Sequence, residues 1–589
     1  MILRKILFMM VACGLPLCHI YAVPAKRSAM TVRQPDGTEI TVRLHGDEHF
    51  HYLTTEAGHI VAKDSAGRYT YARVSGGHIE PTTVTVRPGG TIPDVAVRAE
   101  TVAAELAQIR RRAASVRGAA ATKSGLLEVN QAERGLVLLV NFSDVKFVTD
   151  DAGRAFDDML NSEGYSANGA TGSAADYFRI SSSGQYHPHF DVFGPYDLDR
   201  RMSYYGGNDY MGNDRHPDQM VVDALAKLMA DGEADVDMAD YDADNDGKID
   251  FVFVYYAGHN EAEGADEETI WPHSWEVYPQ NVEGGVQFGG KTVSKYACTS
   301  EQKDKFGYDM CGIGTFCHEF SHVLGLPDLY TTDGATHKTL DSWDVMDYGP
   351  YNNDGRTPPV FSSYERFFMG WLTPDILDSD GDYRLDDLQT SNRAYLISGD
   401  GTHNLDGVSP YPEMFYMLEY RALDGWDAYL PGSGMLVTKV NFSETQWYAN
   451  VVNNDPDNMG VDLIEADGIG YGSAKPGDVF PGSAGVSNCT LFDSCQIYNI
   501  TEDDGVSFGF TFAEYIDVNT PAPKPCIAGN KICNLISGAE LSCFTVDGHT
   551  VWTAVAEGAE YEFVPPHGVY CIVVRQDGKK FSLKGVNPQ

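Results

Sequence analysis

The strongest local constraint in the sequence is the segment Cys317–Asp328, which reads Cys-His-Glu-Phe-Ser-His-Val-Leu-Gly-Leu-Pro-Asp. On a helix, side chains four positions apart lie one above the other, so His318 and His322 share one helical face. Gly325 is predicted to end this helix, because a residue without a β-carbon readily adopts the left-handed conformation. Pro327 then prevents the helix from resuming. The sequence therefore predicts a short helix that stops sharply and carries two histidines on one face.

Two histidines at this spacing can point both imidazoles at one metal ion, and the chain that folds back after the helix can offer Asp328 as third ligand. Three protein ligands and one water form the open geometry of catalytic zinc, which makes the water acidic enough to be a nucleophile near neutral pH. Glu319 is expected beside that water as general base and acid. Glu365 and His337 are the alternative third ligands, and we favour Asp328. Two helical histidines that bind other polar groups, without a metal, are the structural alternative.

Further along the chain, Ser342–Gly349 reads Ser-Trp-Asp-Val-Met-Asp-Tyr-Gly. Together with the histidine helix it resembles the metzincin pattern HExxHxxGxxD followed by a methionine-containing turn, with Asp where most metzincin families have a third His. The resemblance implies that Met346 lies beneath the metal and supports its ligands, the alternative being an ordinary core methionine. It also implies that Tyr348 stabilises the oxyanion of the scissile carbonyl, the alternative being a packed tyrosine.

More narrowly, the sequence resembles the immune inhibitor A-like family of secreted bacterial metallopeptidases over about residues 136–482. Besides the histidine helix, the matching pieces are Asp176–Arg179, Ser183–Tyr186, Ile270–His273, Gly370–Leu372, Gly425–Asp427 and Leu430–Gly434. The strand in which the family has a histidine reads Val437–Asn441 here, so any role of that strand is in doubt. His273 is a candidate for oxyanion stabilisation or for support of the site, with a purely structural role as alternative.

This resemblance implies a zinc-dependent endopeptidase that hydrolyses peptide bonds of extracellular proteins, so its partners are protein or peptide substrates. The competing function is a non-catalytic surface adhesin built on a peptidase scaffold. Such a protein would typically have lost Glu319 or a metal ligand, and the sequence retains both.

A second metal-binding pattern lies at Asp242–Asp250, which reads Asp-Ala-Asp-Asn-Asp-Gly-Lys-Ile-Asp. Asp242, Asp244, Asp246 and Asp250 occupy positions 1, 3, 5 and 9 of a calcium loop, with glycine at position 6. Position 12 is Phe253 instead of the bidentate glutamate of an EF-hand, so other oxygens must complete the shell. The spacing predicts a Ca²⁺ site, and a solvated acidic turn is the alternative. The shorter run Asp378–Asp382 is a weaker candidate of the same kind.

Net charge narrows the possible partners, and the N-terminus indicates export. Acidic residues outnumber basic ones 84 to 43 and give a net charge of −41, which disfavours nucleic acid as a partner. Residues 1–22 have the pattern of a secretory signal peptide, with two basic residues before a short apolar run. No later run is long enough for a transmembrane helix. We therefore expect a secreted or cell-surface protein.

The expected fold is multidomain, α/β followed by β. Residues 23–125 are predicted to form a β-rich propeptide with a helical junction, because short alternating runs are separated by glycine-containing turns. Residues 126–395 are predicted to be a metzincin-like catalytic domain with a mixed sheet, since Leu136–Val140 and Phe251–Tyr256 are continuous apolar runs. Residues 396–519 are predicted to form a β-sandwich without clear helices.

The C-terminal part follows a proline-rich linker at residues 520–525 and forms a predicted β-module at 526–589. Its segments Pro565–Tyr570 and Gly578–Lys580 resemble the C-terminal sorting domains of type IX secretion in Bacteroidetes. That resemblance implies contact with secretion machinery or attachment at the cell surface. An ordinary β-module that aids binding is the alternative.

The N-terminal module is expected to restrain the enzyme until the junction near Arg110–Arg112 or Arg117 is cut. It contains no cysteine, so a thiol cannot reach the zinc. Asp47, with the nearby His45, His49 and His51, is the candidate contact, and exposed hairpin residues without such a role are the alternative.

Overall fold

The computed structural model describes residues 23–47, 50–75, 78–99, 101, 133–208, 213–232, 234, 236–492, 495–512, 525–528, 530–546, 548–576 and 579–587. The signal segment 1–22, His49, the basic junction around 110–117 and most of the proline-rich linker lie outside these ranges. The chain divides into two compact units, Met1–Ala513 and Glu514–Gln589, and each is described by itself.

The first unit begins with a six-stranded antiparallel sheet in which each strand pairs with the next one in sequence. Glycines with positive φ stand in the turns where the sequence predicts hairpins, such as Gly37 with φ 87° and Gly67 with φ 72°. The strands are β1 (Ala29–Arg33), β2 (Glu39–Asp47), β3 (Phe50–Thr55), β4 (Ile60–Lys63), β5 (Tyr69–Ser75) and β6 (His78–Thr85).

A mixed five-stranded sheet follows, with the strand order β11-β14-β10-β7-β8 and an antiparallel edge strand, β11. Strands from the same stretch of sequence form a separate three-stranded sheet with the order β12-β13-β9. The strands are β7 (Arg134–Asn141), β8 (His189–Asp197), β9 (Lys248–Ile249), β10 (Val252–Tyr256), β11 (His273–Glu276), β12 (Gln287–Phe288), β13 (Lys291–Val293) and β14 (Lys295–Ser300). The helices are α1 (Ala152–Asn161), α2 (Ala174–Ser181), α3 (Met202–Tyr205), α4 (Pro217–Ala230) and α5 (Gly314–Leu324).

The central strands of the mixed sheet are apolar throughout because both faces are buried. Alternate residues of β7 point into two different cores: Val137 and Leu139 into one, Leu136 and Leu138 into the other. The first of these cores also contains Phe316 and Phe320 of α5. The helix that carries the two histidines is thus packed against one face of the sheet.

Two further sheets follow in the first unit, with the orders β15-β17-β18-β19-β20 and β16-β23-β22-β21, and their facing side chains share one core. The strands are β15 (Asp375–Ile376), β16 (Gly381–Leu385), β17 (Tyr395–Ile397), β18 (Met414–Arg421), β19 (Gly434–Asn441), β20 (Val461–Leu463), β21 (Cys489–Leu491), β22 (Cys495–Glu502) and β23 (Val506–Thr511). Short helices in this part are α6 (Ser363–Phe368), α7 (Leu388–Ser391) and α8 (Glu444–Tyr448).

This β-rich part differs from the predicted sandwich in two ways. Its first strands precede residue 396, and the short helix α8 interrupts it. Moreover, the core beneath α5 includes Phe415, Val440 and Trp447, so one core crosses the predicted boundary at 395. A local sequence pattern does not reveal such long-range packing.

The second unit contains only strands among its described residues, in the sheets β24-β25-β28 and β27-β26-β29-β30. The strands are β24 (Cys526–Ala528), β25 (Lys531–Cys533), β26 (Glu540–Thr545), β27 (Thr550–Val555), β28 (Tyr561–Glu562), β29 (Gly568–Gln576) and β30 (Lys579–Asn587). In the described part of the chain, no helix has the length and apolar character needed to cross a membrane. The fold is therefore multi-sheet and β-rich with few helices, which is consistent with the predicted combination of a peptidase domain and β-domains.

Candidate metal centre

The helix α5 is fixed at both ends by glycines. At its start, a β-carbon on Gly314 would lie 1.9 Å from the carbonyl oxygen of Pro350, so only glycine fits. At its end, Gly325 has φ 108° and donates to the carbonyl oxygen of His322 at 3.1 Å. Leu326 N donates to Ser321 O at 3.1 Å, which completes the turn. The predicted stop at Gly325 is confirmed, and the chain folds back directly behind the second histidine.

Three potential ligand atoms converge at this turn. His318 Nε2 and His322 Nε2 are 3.2 Å apart. Asp328 Oδ1 lies 3.2 Å from the first and 3.3 Å from the second. The relative exposures of the three residues are 0%, 6% and 0%, so the group is almost fully excluded from water.

Each of the three side chains is oriented by a partner on its far side. His318 Nδ1 faces the carbonyl oxygen of Val345 and His322 Nδ1 that of Leu326, both at 2.8 Å. A ring nitrogen facing a carbonyl carries the proton, so both Nε2 atoms present lone pairs. Burial lowers the pKa of His322, which favours the neutral ligand form.

Asp328 is held by Asn450, a residue 122 positions away. Asn450 Nδ2 donates to Asp328 Oδ2 at 2.6 Å, and Asn450 Oδ1 accepts from Asp328 N at 2.8 Å. The other carboxylate oxygen, Asp328 Oδ1, faces the two imidazoles.

These donors fit a zinc ion. Zinc ligands lie about 2.0–2.1 Å from the metal, so two ligands of a tetrahedron are about 3.3 Å apart. The three separations of 3.2–3.3 Å match that value. Two neutral imidazoles and one carboxylate are also a ligand set that zinc accepts.

The alternative third ligands lie in other hydrogen-bond networks. Glu365 closes the capping box of α6, where its Oε2 accepts from Ser362 N at 2.6 Å. His337 Nε2 is 2.8 Å from the carbonyl oxygen of Asn453. The structure brings Asp328 to the two histidines, and the grouped side chains do not include either alternative among the described residues.

Glu319, next to the first histidine, contacts the N-terminal segment of the described chain. Val23 N donates to Glu319 Oε1 at 3.1 Å, and Trp271 Nε1 donates to Val23 O at 3.2 Å. Tyr351 OH donates to Pro24 O at 2.7 Å. Val23 has zero exposure, so this segment lies buried across the candidate site.

Asp47 and its neighbouring histidines in the first sheet are the residues predicted to contact the zinc. Asp47 is buried at 2% exposure, and His51 stacks on Trp271 with ring centroids 4.8 Å apart. His45 lies 2.8 Å from Thr54 Oγ1, and burial with the nearby Arg27 lowers its pKa to about 4. Val23, at the start of the described chain, donates to Glu319.

The methionine turn lies against the ligands. Met346 is fully buried, and its carbonyl oxygen accepts from Leu329 N at 2.8 Å, directly after Asp328. Tyr348 carries the guanidinium of Arg27 3.6 Å above its ring centroid. Burial raises the pKa of Tyr348 to about 12 although Arg27 acts in the opposite direction, so the phenol keeps its proton.

His273 is part of a structural network. Its Nδ1 is 2.6 Å from Trp271 O and its Nε2 is 2.8 Å from Tyr296 OH. Both ring nitrogens thus have buried partners within the sheet, which favours the structural interpretation of this residue.

The acidic loop brings carboxylates of Asp242, Asp244 and Asp246 within 4.8 Å of one another. Asp242 has 2% exposure, whereas the other two are exposed. Asp242 Oδ2 is paired with the ammonium group of Lys291 and also accepts from Gly247 N at 3.0 Å. Asp250 Oδ2 accepts from Ala243 N at 2.8 Å, which closes the loop.

Sequence reasoning missed Asn450, Val23 and Tyr351. Asn450 has φ 52°, and its left-handed backbone directs the chain after α8 towards Asp328. No local motif marks any of the three, because each acts on residues far away in the sequence.

Residues 127–371 match the catalytic domain of immune inhibitor A, peptidase family M6. This match confirms the resemblance seen in the sequence. The chain is 26% identical over 277 residues to immune inhibitor A of Bacillus thuringiensis subsp. alesti, covering 40% of this chain and 39% of that protein. It is 26% identical over 287 residues to the pre-pro-metalloprotease PrtV of Vibrio cholerae serotype O1 (strain M66-2), covering 41% of this chain and 30% of the relative. The matched parts thus span well under half of these relatives, and they indicate a metallopeptidase.

Proposed function

We propose that this protein is a secreted zinc-dependent endopeptidase of metzincin-like fold, with His318, His322 and Asp328 as metal ligands. The family match supports a metallopeptidase, and the three converging lone-pair atoms support a tetrahedral zinc site. Protein or peptide chains are the proposed substrates. Zinc bound there supplies Lewis acidity, which lowers the pKa of water and polarises a carbonyl oxygen.

One observation carries this proposal: the backbone nitrogen of Val23 lies 3.1 Å from Glu319 Oε1, within hydrogen-bond distance. In peptide hydrolysis the general base first takes a proton from water and then returns it to the leaving amine. The leaving nitrogen must therefore lie beside the same carboxylate. Val23 N lies beside this carboxylate, which supports the proposed role of Glu319 in both proton transfers.

Tyr348 remains the proposed oxyanion stabiliser. Its raised pKa keeps the phenol protonated, so it can donate a hydrogen bond. In the structure the guanidinium of Arg27 lies over one face of the Tyr348 ring.

Substitution of Glu319 by glutamine tests the proposal. Glu319→Gln should retain zinc and lose about 10²- to 10⁴-fold in kcat, because the amide preserves the shape but cannot accept a proton. The matched control is Glu268→Gln, on an exposed residue of the same unit, which should leave both quantities unchanged. Zinc content and casein cleavage are measured on the same preparations. Near wild-type turnover of Glu319→Gln contradicts the mechanism, and zinc binding without any cleavage by the wild type favours the adhesin.

We also propose that residues 23–125 keep the precursor inactive. The contacts of Val23 with Glu319 and of Pro24 with Tyr351 support this, since a bound segment excludes substrate from the same place. Cleavage near Arg110–Arg112 or Arg117 would release the segment.

For the acidic loop we propose Ca²⁺ binding through Asp242, Asp244 and Asp246, with Asp250 closing the loop. Asp242 supports this, because its side chain is buried and its Oδ1 has no hydrogen-bond partner among the described residues. A buried carboxylate oxygen without a partner is costly unless a cation binds there. The ammonium group of Lys291 now neutralises the other oxygen and would have to move aside.

Export by a signal peptide at residues 1–22 and sorting by the second unit complete the proposal. The second unit would contact secretion machinery or attach the protein to the cell surface. The strands formed by its described residues are compatible with a sorting module.

A further inference from the structure

The N-terminal segment, residues 23–27, contacts the candidate site through its first and its last residue. At one end Val23 N lies beside Glu319. Four residues later, Arg27 binds a separate place formed by Asp341 and Tyr348. The segment therefore shows one path of a chain between these two points.

Val23 fixes the register of that chain. If Glu319 returns a proton to the leaving nitrogen, the residue whose nitrogen lies beside Glu319 is the first one after the cut. Val23 takes this first place, and Arg27 takes the fifth. This step rests on the proposed peptidase function.

The place that binds Arg27 has the features of a guanidinium pocket. Arg27 Nη1 lies 2.8 Å from Asp341 Oδ2, and its guanidinium carbon lies 3.6 Å above the ring centroid of Tyr348. A carboxylate at the edge and an aromatic ring beneath are the two contacts that guanidinium groups prefer. The side chain of Asp341 is 10% exposed and that of Arg27 41% exposed, so the carboxylate is largely buried while the arginine stays partly open to solvent.

Other residues of the enzyme preform this pocket. Asp341 has φ 55°, and its N–H donates to Asp347 Oδ2 at 2.8 Å. Its Oδ1 accepts from Ser342 N at 2.7 Å, which leaves Oδ2 turned towards the arginine. Tyr348 N donates to Asp341 O at 3.2 Å, so the carboxylate and the ring are joined through one turn. None of these contacts involves the N-terminal segment.

We propose that Asp341 and the ring of Tyr348 form a substrate pocket that selects arginine at the fifth residue after the cut. Once the N-terminal segment leaves, a substrate guanidinium takes the place of Arg27. Asp341 is thus a specificity residue that lies apart from the bond being cleaved.

Two peptides that differ only at the fifth residue after a mapped cleavage point test this pocket. One carries arginine and the other citrulline, which has nearly the same shape without the charge. The full-length chain, activated by limited proteolysis, should cleave the arginine peptide with a kcat/KM roughly tenfold higher, since a half-exposed ion pair and a cation–π contact each contribute modestly. This ratio should fall with rising ionic strength.

Asp341→Asn should abolish the preference, bringing the ratio close to one, while the citrulline peptide is still cleaved. Asparagine tolerates the left-handed backbone and keeps the acceptor for Ser342 N, and the citrulline peptide reports that the variant is folded. Equal rates for both peptides in the wild type overturn the proposal. A preference that survives in Asp341→Asn overturns it as well.

A binding measurement separates this proposal from the peptidase proposal. The pentapeptide Val-Pro-Ala-Lys-Arg, residues 23–27, and its citrulline form are titrated into the activated protein by calorimetry. A roughly tenfold tighter binding of the arginine form, lost in Asp341→Asn, supports the pocket even if no substrate is cleaved. Equal binding of both forms refutes the pocket, while absence of cleavage refutes only the peptidase function.

Discussion

The protein contains two groups of side chains with the spacing of metal ligands, and their surroundings differ. His318, His322 and Asp328 are buried, and each is oriented by a hydrogen-bond partner, which for His318 and Asp328 lies far away in the sequence. Asp242, Asp244 and Asp246 lie on one loop, and two of them are exposed. The first group is held by hydrogen bonds to the rest of the fold, whereas two members of the second are exposed to solvent. A ligand pattern in sequence gives the donors, but the surrounding contacts decide how rigidly they are held.

Removal of the N-terminal segment should have the largest effect, which is on peptidase activity, because this segment contacts the residues around the buried group. A tethered segment has an effective concentration on the order of millimolar, so it should suppress peptidase activity by at least about tenfold. Purified precursor and a processed form that starts near residue 126 are compared on one substrate. The Ca²⁺ response of the two forms, measured by thermal unfolding, should be the same. Equal activity of the two forms would mean that the N-terminal sheet is a folding aid or a binding domain.

The orienting contact on Asp328 should have the next largest effect. Asn450→Gly keeps the left-handed backbone but removes both hydrogen bonds to Asp328, so zinc affinity should fall about 10- to 100-fold. Asn499→Gly is the matched control, because Asn499 also has a positive φ of 52° and is exposed. Competition with a zinc chelator measures both variants. Unchanged affinity in Asn450→Gly would show that the buried group does not depend on this partner.

Ca²⁺ binding at the acidic loop should have the smallest effect, which is on the midpoint of thermal unfolding. Ca²⁺ should raise the midpoint of thermal unfolding by about 2–4 °C, and Asp242→Asn should abolish that rise. Asp199→Asn serves as the control, since the side chain of Asp199 is 88% exposed. The same Ca²⁺ response in both variants would identify the loop as a solvated acidic turn paired with Lys291.

The sequence predicted the buried group well where the determinants are local. The spacing of His318 and His322 and the stop at Gly325 depend only on helix geometry, and both are found in the structure. The placement of Asp328 follows from the same turn. The sequence also predicted the apolar strands of the mixed sheet, because burial on both faces requires continuous apolar runs.

Contacts between distant parts of the chain could not be predicted in this way. Val23 lies 296 positions from Glu319, and Asn450 lies 122 positions from Asp328. Neither belongs to a local pattern, since their positions depend on how whole sheets pack. For the same reason the predicted boundary at residue 395 cuts through a shared core that includes Phe415 and Trp447.

The central claim is that Asp328 completes the zinc site, and zinc stoichiometry in two matched amide variants tests it most directly. Asp328→Asn and Glu365→Gln each replace a carboxylate by an amide of similar shape, which is a poor zinc ligand. After dialysis against a competing chelator, Asp328→Asn should have lost its zinc and its peptidase activity, while Glu365→Gln should retain about one zinc per chain. Retention of zinc in Asp328→Asn together with its loss in Glu365→Gln would contradict the account and assign the third ligand to Glu365.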